Sequence, residues 1–320
     1  MMLKVAGKAF LAGAFTITAF FSAGHAEAAP KKFAGDLAYQ HIVELTEEIG
    51  PRVAGSDNEK KAREYIKKEL SNIDVTTEIQ PFNYTRRGAE KNSANIIGVK
   101  DSPKTEKQII VGAHYDSVST GKGADDNASS VGVILETAKA LEKRSLPYDI
   151  KFIFFGAEEE GLQGSTFYAK NMSKQEVDQT IGMINLDSLL AGDQIYVYGG
   201  SGEAGWIRDL ALDIAEKRKI PLQTNPGLNP EFPAGTTGDW SDHAPFENLG
   251  ITIAYLEATN WEIGAMDGYD QTVKHGGIWH TQNDNLDFLE REFPGRTKEH
   301  LNQFTNILTE LLTEIKKEAK

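Results

Sequence analysis

The sequence of 320 residues contains no cysteine. This absence excludes disulfide bonds, a thiol nucleophile, cysteine-based zinc sites and a lipid anchor on cysteine. Any bound metal ion must therefore be held by histidine and carboxylate side chains. Basic residues are also in the minority, 34 against 47 acidic ones, and the net charge is −13. Because such a chain repels phosphate groups, we expect it to bind no nucleic acid.

Long apolar runs are scarce, and the clearest one lies near the N-terminus. Residues 9–23 are apolar or small, follow two lysines, and precede a small-residue pattern at 26–28. A short apolar run with these flanks is typical of a cleaved export signal, and it is too short for a convincing membrane span. We predict that residues 1–28 are a signal peptide and that the mature protein is secreted without membrane attachment. Residues 29–320 are predicted to form one domain.

Apolar segments of strand length alternate with segments of helical spacing over the rest of the chain. The predicted strands are 75–84, 94–99, 108–113, 148–155, 180–186, 194–198 and 251–256. The predicted helices are 37–48, 58–72, 129–143, 204–218 and 298–317. Buried strands that alternate with helices indicate a parallel sheet covered on both faces. We therefore predict an α/β fold, a three-layer α/β/α sandwich around a central, mostly parallel mixed sheet.

Histidine and carboxylate residues follow the buried strands of this predicted sheet. They are His114 and Asp116 after 108–113, Asp125 and Asp126 in the glycine-rich loop beyond, Glu158 and Glu159 after 148–155, Asp187 after 180–186, and His280 in the long loop after 251–256. The active crevice of such sheets lies at the carboxyl ends of the strands. Each residue alone is typical of a turn, a helix cap or a solvated loop. Together, with no basic residue after these strands, they favour bound zinc or a similar first-row cation.

Five short motifs in this order resemble the M28 family of zinc aminopeptidases. The motifs HxD, DDNAS, AEExGLxGS, NLD and HT lie at residues 114–116, 125–129, 157–165, 185–187 and 280–281. Residues 49–56 and 241–243 are also similar to segments of that family. The resemblance runs from about residue 37 to the C-terminus, and it is the order of the five motifs that makes it specific.

The resemblance implies a pair of zinc ions that share one bridging aspartate. The five implied ligands are His114, Asp126, Glu159, Asp187 and His280. His114 and Asp187 would hold one ion, Glu159 and His280 the other, and Asp126 would bridge them. Asp125 is the competitor for the bridging position, and we expect its side chain to point elsewhere. The family also implies a cis peptide bond between Asp126 and Asn127.

The resemblance assigns different roles to the neighbouring acids at the end of strand 148–155. Glu158 is expected to be the general base, which takes a proton from water between the metal ions and passes it to the leaving amine. Glu160 is expected to face solvent. Asp116 is expected to hold the imidazole of His114.

The substrate pocket is less well specified by the sequence. Its predicted residues are Ser188, Asp242, His243, Tyr255 and Trp279. Some relatives have a tyrosine near the last histidine that stabilises the oxyanion, whereas Trp279 precedes His280 here, so the oxyanion donor stays open.

The sequence thus predicts a secreted metalloaminopeptidase with two zinc ions per chain and peptides with free N-termini as substrates. There are three alternatives. The full set of ligands, together with a separate glutamate, argues against a glutaminyl cyclase-like acyltransferase with one zinc ion and against an inactive binding domain on the same fold. Endopeptidase or carboxypeptidase chemistry at the same metal site stays open. Histidine and carboxylate ligands also accept manganese and cobalt, so the native metal is open. The sequence makes no prediction of the oligomeric state.

Overall fold

Residues 34–316, except Asp74 and Lys104, are described by the computed structural model of the protein. The predicted signal peptide, residues 1–28, lies outside the described residues. The described residues form one compact unit. Within the described part of the chain, no helix is both long enough and apolar enough to cross a membrane.

The chain contains helices and strands that largely alternate. The strands are β1 (Thr76–Arg86), β2 (Ala89–Lys100), β3 (Gln108–His114), β4 (Asp149–Phe155), β5 (Thr180–Leu186), β6 (Gln194–Gly199), β7 (Leu222–Gln223) and β8 (Ile253–Thr259). The α-helices are α1 (Asp36–Val43), α2 (Asp57–Ser71), α3 (Ser129–Leu141), α4 (Gln163–Asn171), α5 (Lys174–Gln179), α6 (Trp206–Arg218), α7 (Ala244–Glu247), α8 (Leu286–Glu292) and α9 (Arg296–Glu314). One π-helical turn, Glu44–Ile49, follows α1, and a second, Ala124–Ala128, precedes α3. A 3₁₀ turn, Gly202–Gly205, precedes α6.

All eight strands belong to one mixed sheet, in the order β1-β2-β4-β3-β5-β8-β6-β7. The four central strands, β4, β3, β5 and β8, are mutually parallel. Strand β2 joins them antiparallel on one side and β6 joins them antiparallel on the other. The predicted mostly parallel mixed sheet is thereby confirmed. Because the central strands are parallel, their carboxyl ends meet at one edge, which is where the candidate site lies.

The sheet is covered on both faces, as a three-layer sandwich requires. One face of the strands packs with helices α1, α2, α3, α6 and α9 in the large apolar core. Ile110, Phe155 and Met183, on the other face, pack with residues of α4 and α7, including Phe246. Beyond this second core the same face continues as an aromatic cluster under β6 and β8. Side chains alternate between the faces along each strand, so near-continuous apolar runs are what the two buried faces need.

The predicted elements are present, with differences at their ends and in the connections. The first hairpin is longer than predicted: Arg86 pairs with Ala89, so β1 ends two residues after the predicted strand 75–84 and β2 begins five residues before the predicted strand 94–99. The extension is polar and exposed, so apolar patterning does not reveal it. Helices α4, α5, α7 and α8 and strand β7 were not predicted, because each has at most nine residues and shows little periodicity.

Candidate metal centre and active site

The predicted metal ligands meet at the carboxyl edge of the central sheet. His114 is the last residue of β3, Glu159 follows β4 and Asp187 follows β5. Asp126 lies in the π-helical turn before α3, and His280 comes from the long loop between β8 and α8. Five separate segments of the chain therefore converge on one small volume.

The first group of candidate ligands surrounds the ring of His114. Its Nε2 atom lies 3.1 Å from Asp126 Oδ1 and 3.4 Å from Asp187 Oδ1. Ser241 donates a hydrogen bond to the other carboxylate oxygen of Asp187 at 2.7 Å, and Asn185 donates to Ser241 at 2.8 Å. These contacts fix Asp187 with one oxygen directed at the histidine.

The second group surrounds the ring of His280. Its Nε2 atom lies 3.2 Å from Asp126 Oδ2 and 2.7 Å from Glu159 Oε2. The two oxygens of Asp126 thus face two histidines from different segments. The geometry expected of a bridging carboxylate is present at Asp126.

Asp125, the competitor for the bridge, points away from both histidines. Its carboxylate accepts hydrogen bonds from the backbone amides of Leu190 at 2.6 Å and Ala191 at 3.1 Å, and from the Gln271 side chain at 2.6 Å. The peptide bond between Asp126 and the following asparagine is cis, as the resemblance implies.

Contrary to the sequence-based prediction, the Asp116 carboxylate does not hydrogen-bond the imidazole of His114. Its Oδ1 atom lies 3.7 Å from His114 Nδ1, which is longer than a hydrogen bond. The carboxylate instead accepts the backbone N–H groups of Glu158 at 3.0 Å and Glu159 at 3.3 Å. The His114 ring lies 3.2 Å from the backbone oxygen of Asp116. The physical reason is that two amides at the end of β4 offer the buried carboxylate better aligned donors than the imidazole does.

The three consecutive glutamates have separate surroundings. Glu158 Oε2 lies 4.0 Å from His114 Nε2, close to the first group of ligands without pairing as tightly as Asp126. Glu159 belongs to the His280 group. Glu160 was expected to face solvent but pairs with Lys91 at 2.8 Å and with Arg86 at 3.5 Å. Both bases lie on the extended first hairpin, which the sequence did not predict.

Carboxylates outnumber cationic side chains in this site, and burial and mutual hydrogen bonds shift the pKa values of its residues. Burial raises the pKa of Glu158 well above its usual range. Burial acts to raise the pKa of Asp126, but hydrogen bonds from His114 and His280 outweigh burial and lower it. Hydrogen bonds to Asp126 and Glu159 raise the pKa of His280 to about 11. Such opposing shifts mark a site whose negative charge calls for further cations.

The site opens into a small cleft, with a cavity volume of about 70 Å³. Its lining includes three of the predicted pocket residues, Ser188, Tyr255 and Trp279. Trp279 donates its indole N–H to the backbone oxygen of Tyr269 at 3.2 Å, so that donor is already engaged and is not directed at an oxyanion.

Asp242 and His243, also predicted for the pocket, are fully buried behind the cleft rather than on its wall. The His243 ring stacks on Tyr255 with centroids 5.0 Å apart, and its Nε2 lies 3.0 Å from the Gly238 backbone oxygen. The Asp242 carboxylate adds to the negative potential that raises the pKa of Glu158. Both residues are buried because the segment 241–243 leads directly into α7, which packs against the sheet.

Several positioning residues escaped the sequence reasoning. Asp284 accepts the backbone amides of Asp125 at 2.6 Å and Asp126 at 3.3 Å. Gln271 accepts the backbone amide of Trp279 at 3.0 Å while its NH₂ group binds Asp125. These contacts tie the His280 loop to the π-helical turn. Their sequence separations leave no local pattern from which they could be found.

Arg52 is a third residue that the sequence analysis did not identify. It is fully buried and donates hydrogen bonds to the backbone oxygens of Tyr115 at 2.8 Å, Lys122 at 2.9 Å and Gly123 at 2.8 Å. Burial lowers its pKa to about 10, so it stays charged near neutral pH. The signal available was its place within residues 49–56, one of the segments that resemble the M28 family.

Three residues of the site loops have left-handed backbone conformations without being glycine. They are Ala157 (φ 56°), Ser188 (φ 53°) and His280 (φ 58°). Such conformations cost free energy for residues with a Cβ and cluster at functional sites. His280 is itself a candidate ligand, Ser188 follows the candidate ligand Asp187, and Ala157 precedes the proposed general base Glu158.

Comparison with known proteins agrees with this geometry. Residues 95–305 match the profile of peptidase family M28. The chain belongs to peptidase family M28. It is 32% identical to the alkaline phosphatase isozyme conversion protein of Escherichia coli K12, over 88% of this chain and 91% of that protein. It is also 32% identical to aminopeptidase YwaD of Bacillus subtilis, over 72% of this chain and 46% of that protein's length.

Solved structures of other proteins share the fold at lower identity. A zinc aminopeptidase from Bacillus subtilis superimposes with a TM-score of 0.71 and 22% identity, covering 90% of this chain and 97% of that one. Porphyromonas gingivalis glutaminyl cyclase gives a TM-score of 0.68 and 22% identity, covering 88% and 98%. Both an aminopeptidase and a cyclase therefore share this architecture, and the predicted zinc exopeptidase-like fold class is confirmed.

Proposed function

We propose that this member of family M28 is a secreted aminopeptidase that holds two zinc ions and removes N-terminal residues from peptides. The observation that carries the proposal is the position of Asp126. Its two carboxylate oxygens face His114 and His280, while Asp187 and Glu159 complete one group each. A carboxylate in this position can bridge two cations.

The residues present fit zinc on two counts. Histidine nitrogens and carboxylate oxygens are the donors that zinc takes in catalytic sites, and each group offers one histidine with two carboxylates. In addition, Glu159 Oε1 is buried and has no hydrogen-bond partner within the described residues. A buried carboxylate oxygen without a partner is costly, and a cation would remove that cost.

Glu158 supports hydrolysis because it lies beside the ligands without being needed as one. Zinc ions bound here would polarise the scissile carbonyl and lower the pKa of water. Asp116 holds the Glu158 backbone in place through its amide. Burial raises the pKa of the Glu158 carboxyl, which suits a group that must accept a proton from water and then release it to the leaving amine.

Secretion and the peptide substrate are part of the same proposal. The export-signal pattern of residues 1–28 supports secretion. The name of the Bacillus subtilis relative, an aminopeptidase, supports removal of N-terminal residues. N-terminal sequencing of the protein from the culture medium tests the export step, and a start near residue 29 is the expected result.

The rival function is N-terminal glutamine cyclisation, which the fold of the Porphyromonas gingivalis enzyme brings forward. A reaction that needs one zinc ion would leave the second group of ligands without a purpose. The decisive experiment measures zinc per chain by elemental analysis together with release of p-nitroaniline from aminoacyl anilides. Two zinc ions and anilide hydrolysis that a chelator abolishes support the proposal. One zinc ion with cyclisation of a glutaminyl peptide would contradict it.

A further inference from the structure

Strand β8 carries one carboxylate, Glu257, that no step of the proposed reaction uses. The other six residues of this strand are buried, whereas Glu257 is partly exposed. Its exposed part faces the cleft, because Glu257 lines the cleft together with Asp187, Ser188 and Tyr255. The carboxyl therefore lies in the same cleft as the candidate metal ligands.

The carboxyl of Glu257 has tyrosines rather than cations around it. The Tyr198 hydroxyl donates to Glu257 Oε2 at 2.9 Å, and the Trp261 indole in turn donates to Tyr198 at 2.6 Å. The charged groups that affect the pKa of Glu257 most strongly are two further carboxylates, Asp187 and Asp125. The hydrogen bond from Tyr198 therefore holds the carboxyl in a fixed position. These neighbours include no lysine or arginine that could balance its charge.

The walls of the cleft above Glu257 are aromatic. Trp240, Tyr255 and Trp279 all line it. Trp240 packs edge-on against Phe232, with ring centroids 5.3 Å apart. Trp279 is held in place by its hydrogen bond to a backbone oxygen. Aromatic faces attract cations, and an aromatic wall with a carboxylate at its base is suited to a long basic side chain.

We propose that the cleft selects substrates whose N-terminal residue is arginine or lysine, with Glu257 binding the side-chain cation. This inference rests on the proposed aminopeptidase function and names its substrate class. A neutral aliphatic side chain would remove water from Glu257 without giving it a partner, which disfavours that substrate. Specificity of this kind is strong where a buried polar group is left unpaired by the wrong substrate.

The test compares anilides that differ in charge but little in shape. Arginine and citrulline p-nitroanilides are matched, because citrulline has an uncharged urea in place of the guanidinium; norleucine p-nitroanilide is the neutral substrate. For the zinc-loaded protein at pH 9, where the carboxyl is ionised, we expect kcat/KM for arginine to exceed that for citrulline by about 10- to 100-fold, the range of a charge-assisted hydrogen bond. Glu257→Gln should remove this preference, so that arginine and citrulline anilides are cleaved with similar kcat/KM values.

Two control variants separate charge from folding. Glu262→Gln removes the same charge from an exposed position just after β8, and it should keep the arginine preference. Glu257→Asp keeps the charge on a shorter side chain, so it should retain a reduced preference. An equal loss for all three anilides in Glu257→Gln would mean that Glu257 acts on a part common to every substrate, and the proposal would be wrong.

A binding measurement gives a readout besides turnover. Calorimetry with free L-arginine and L-citrulline should show arginine bound at least about 10-fold more tightly by the zinc-loaded protein. Cleavage of all anilides at similar rates would overturn the proposed preference but leave the aminopeptidase function standing. If no anilide is cleaved, the aminopeptidase function itself fails, and the preference proposed here fails with it.

Discussion

The backbone N–H of Glu158 donates to Asp116 Oδ1 across 3.0 Å, and this contact links the carboxyl ends of β4 and β3. The strands are hydrogen-bonded neighbours in parallel register, with His114 opposite Phe155. The proposed general base is therefore positioned from the same strand end that supplies a candidate metal ligand. A small movement of Asp116 would shift base and ligand relative to each other.

Asp116→Asn should reduce kcat by about 10- to 100-fold, the range for groups that orient metal ligands and catalytic residues. An asparagine has one acceptor oxygen, so it cannot bind the amides of both Glu158 and Glu159. KM should change little, because Asp116 does not line the cleft. Steady-state kinetics with metal content measured in parallel checks this, and unchanged kcat would show that the amide contacts are unimportant.

Glu158→Gln should lower kcat by about 10²- to 10⁴-fold, the usual contribution of a general base, while metal content stays at the wild-type value. Glu159→Gln should instead reduce metal content, because it removes a candidate ligand from the His280 group. Glu160→Gln is the matched control from the same turn: its ion pairs are with Lys91 and Arg86, whose side chains are partly exposed, so they contribute little and activity should stay within about twofold. Full activity in Glu158→Gln would contradict the proposed mechanism.

The sequence reveals which residues end the central strands, because apolar runs of strand length stop just before His114, Glu158 and Asp187. It also suggests that they meet, since the carboxyl ends of parallel strands lie at one edge. What it does not reveal is the orientation of each side chain. That Asp116 binds the amides of the next strand rather than an imidazole depends on the register between β3 and β4, which no local pattern records.

Asp126→Asn and Asp125→Asn form a matched pair, the same chemical change at adjacent residues with opposite orientations. Asp126→Asn should lose metal, because an amide cannot bridge two cations as a carboxylate does. Asp125→Asn should keep its metal but lose about 1–3 kcal/mol of stability, since its new NH₂ group would face the Gln271 donor or leave a backbone amide unpaired. Elemental analysis and chemical denaturation of both variants decide between the two aspartates, and metal loss confined to Asp125→Asn would reverse the assignment.

Removal of metal should destabilise the protein, because Asp126, Glu159 and Asp187 would then repel one another in a buried site. A ligand present at 100 times its Kd stabilises the folded state by about 2.7 kcal/mol. For a chain of this size that corresponds to a fall in Tm of about 4 °C on chelation. Scanning calorimetry with and without a chelator measures it. The variant His114→Ala with His280→Ala should show no such fall, and an equal fall in that variant would mean that the stabilising metal binds elsewhere.

The loop that carries His280 shows where sequence reasoning reaches its limit. The motif at 280–281 places this histidine last in the ligand order, but its position depends on Gln271 and Asp284, which bind the turn before α3. Likewise, nothing in the alternating residues of β8 distinguishes Glu257 from an ordinary solvent-facing glutamate. Only the sheet order, with β8 beside β5, brings it to the cleft.

The preference for arginine over citrulline should increase with pH. Burial raises the pKa of Glu257 to about 8, with hydrogen bonds from Tyr198 and Tyr255 opposing the rise and the carboxylates of Asp187 and Asp125 adding to it. Below that pKa the carboxyl is protonated and has no charge to offer a guanidinium; above it the charge is present. As the carboxyl ionises, the ratio of the two kcat/KM values should therefore rise between pH 7 and 9.

The ratio cancels the pH dependence that both substrates share, including that of Glu158. In Glu257→Gln the ratio should be flat and close to one over the same range. A wild-type ratio that is already high at pH 7 and does not change would mean that Glu257 is ionised throughout, and a ratio that falls as the pH rises would contradict a role for its carboxylate in binding the cation.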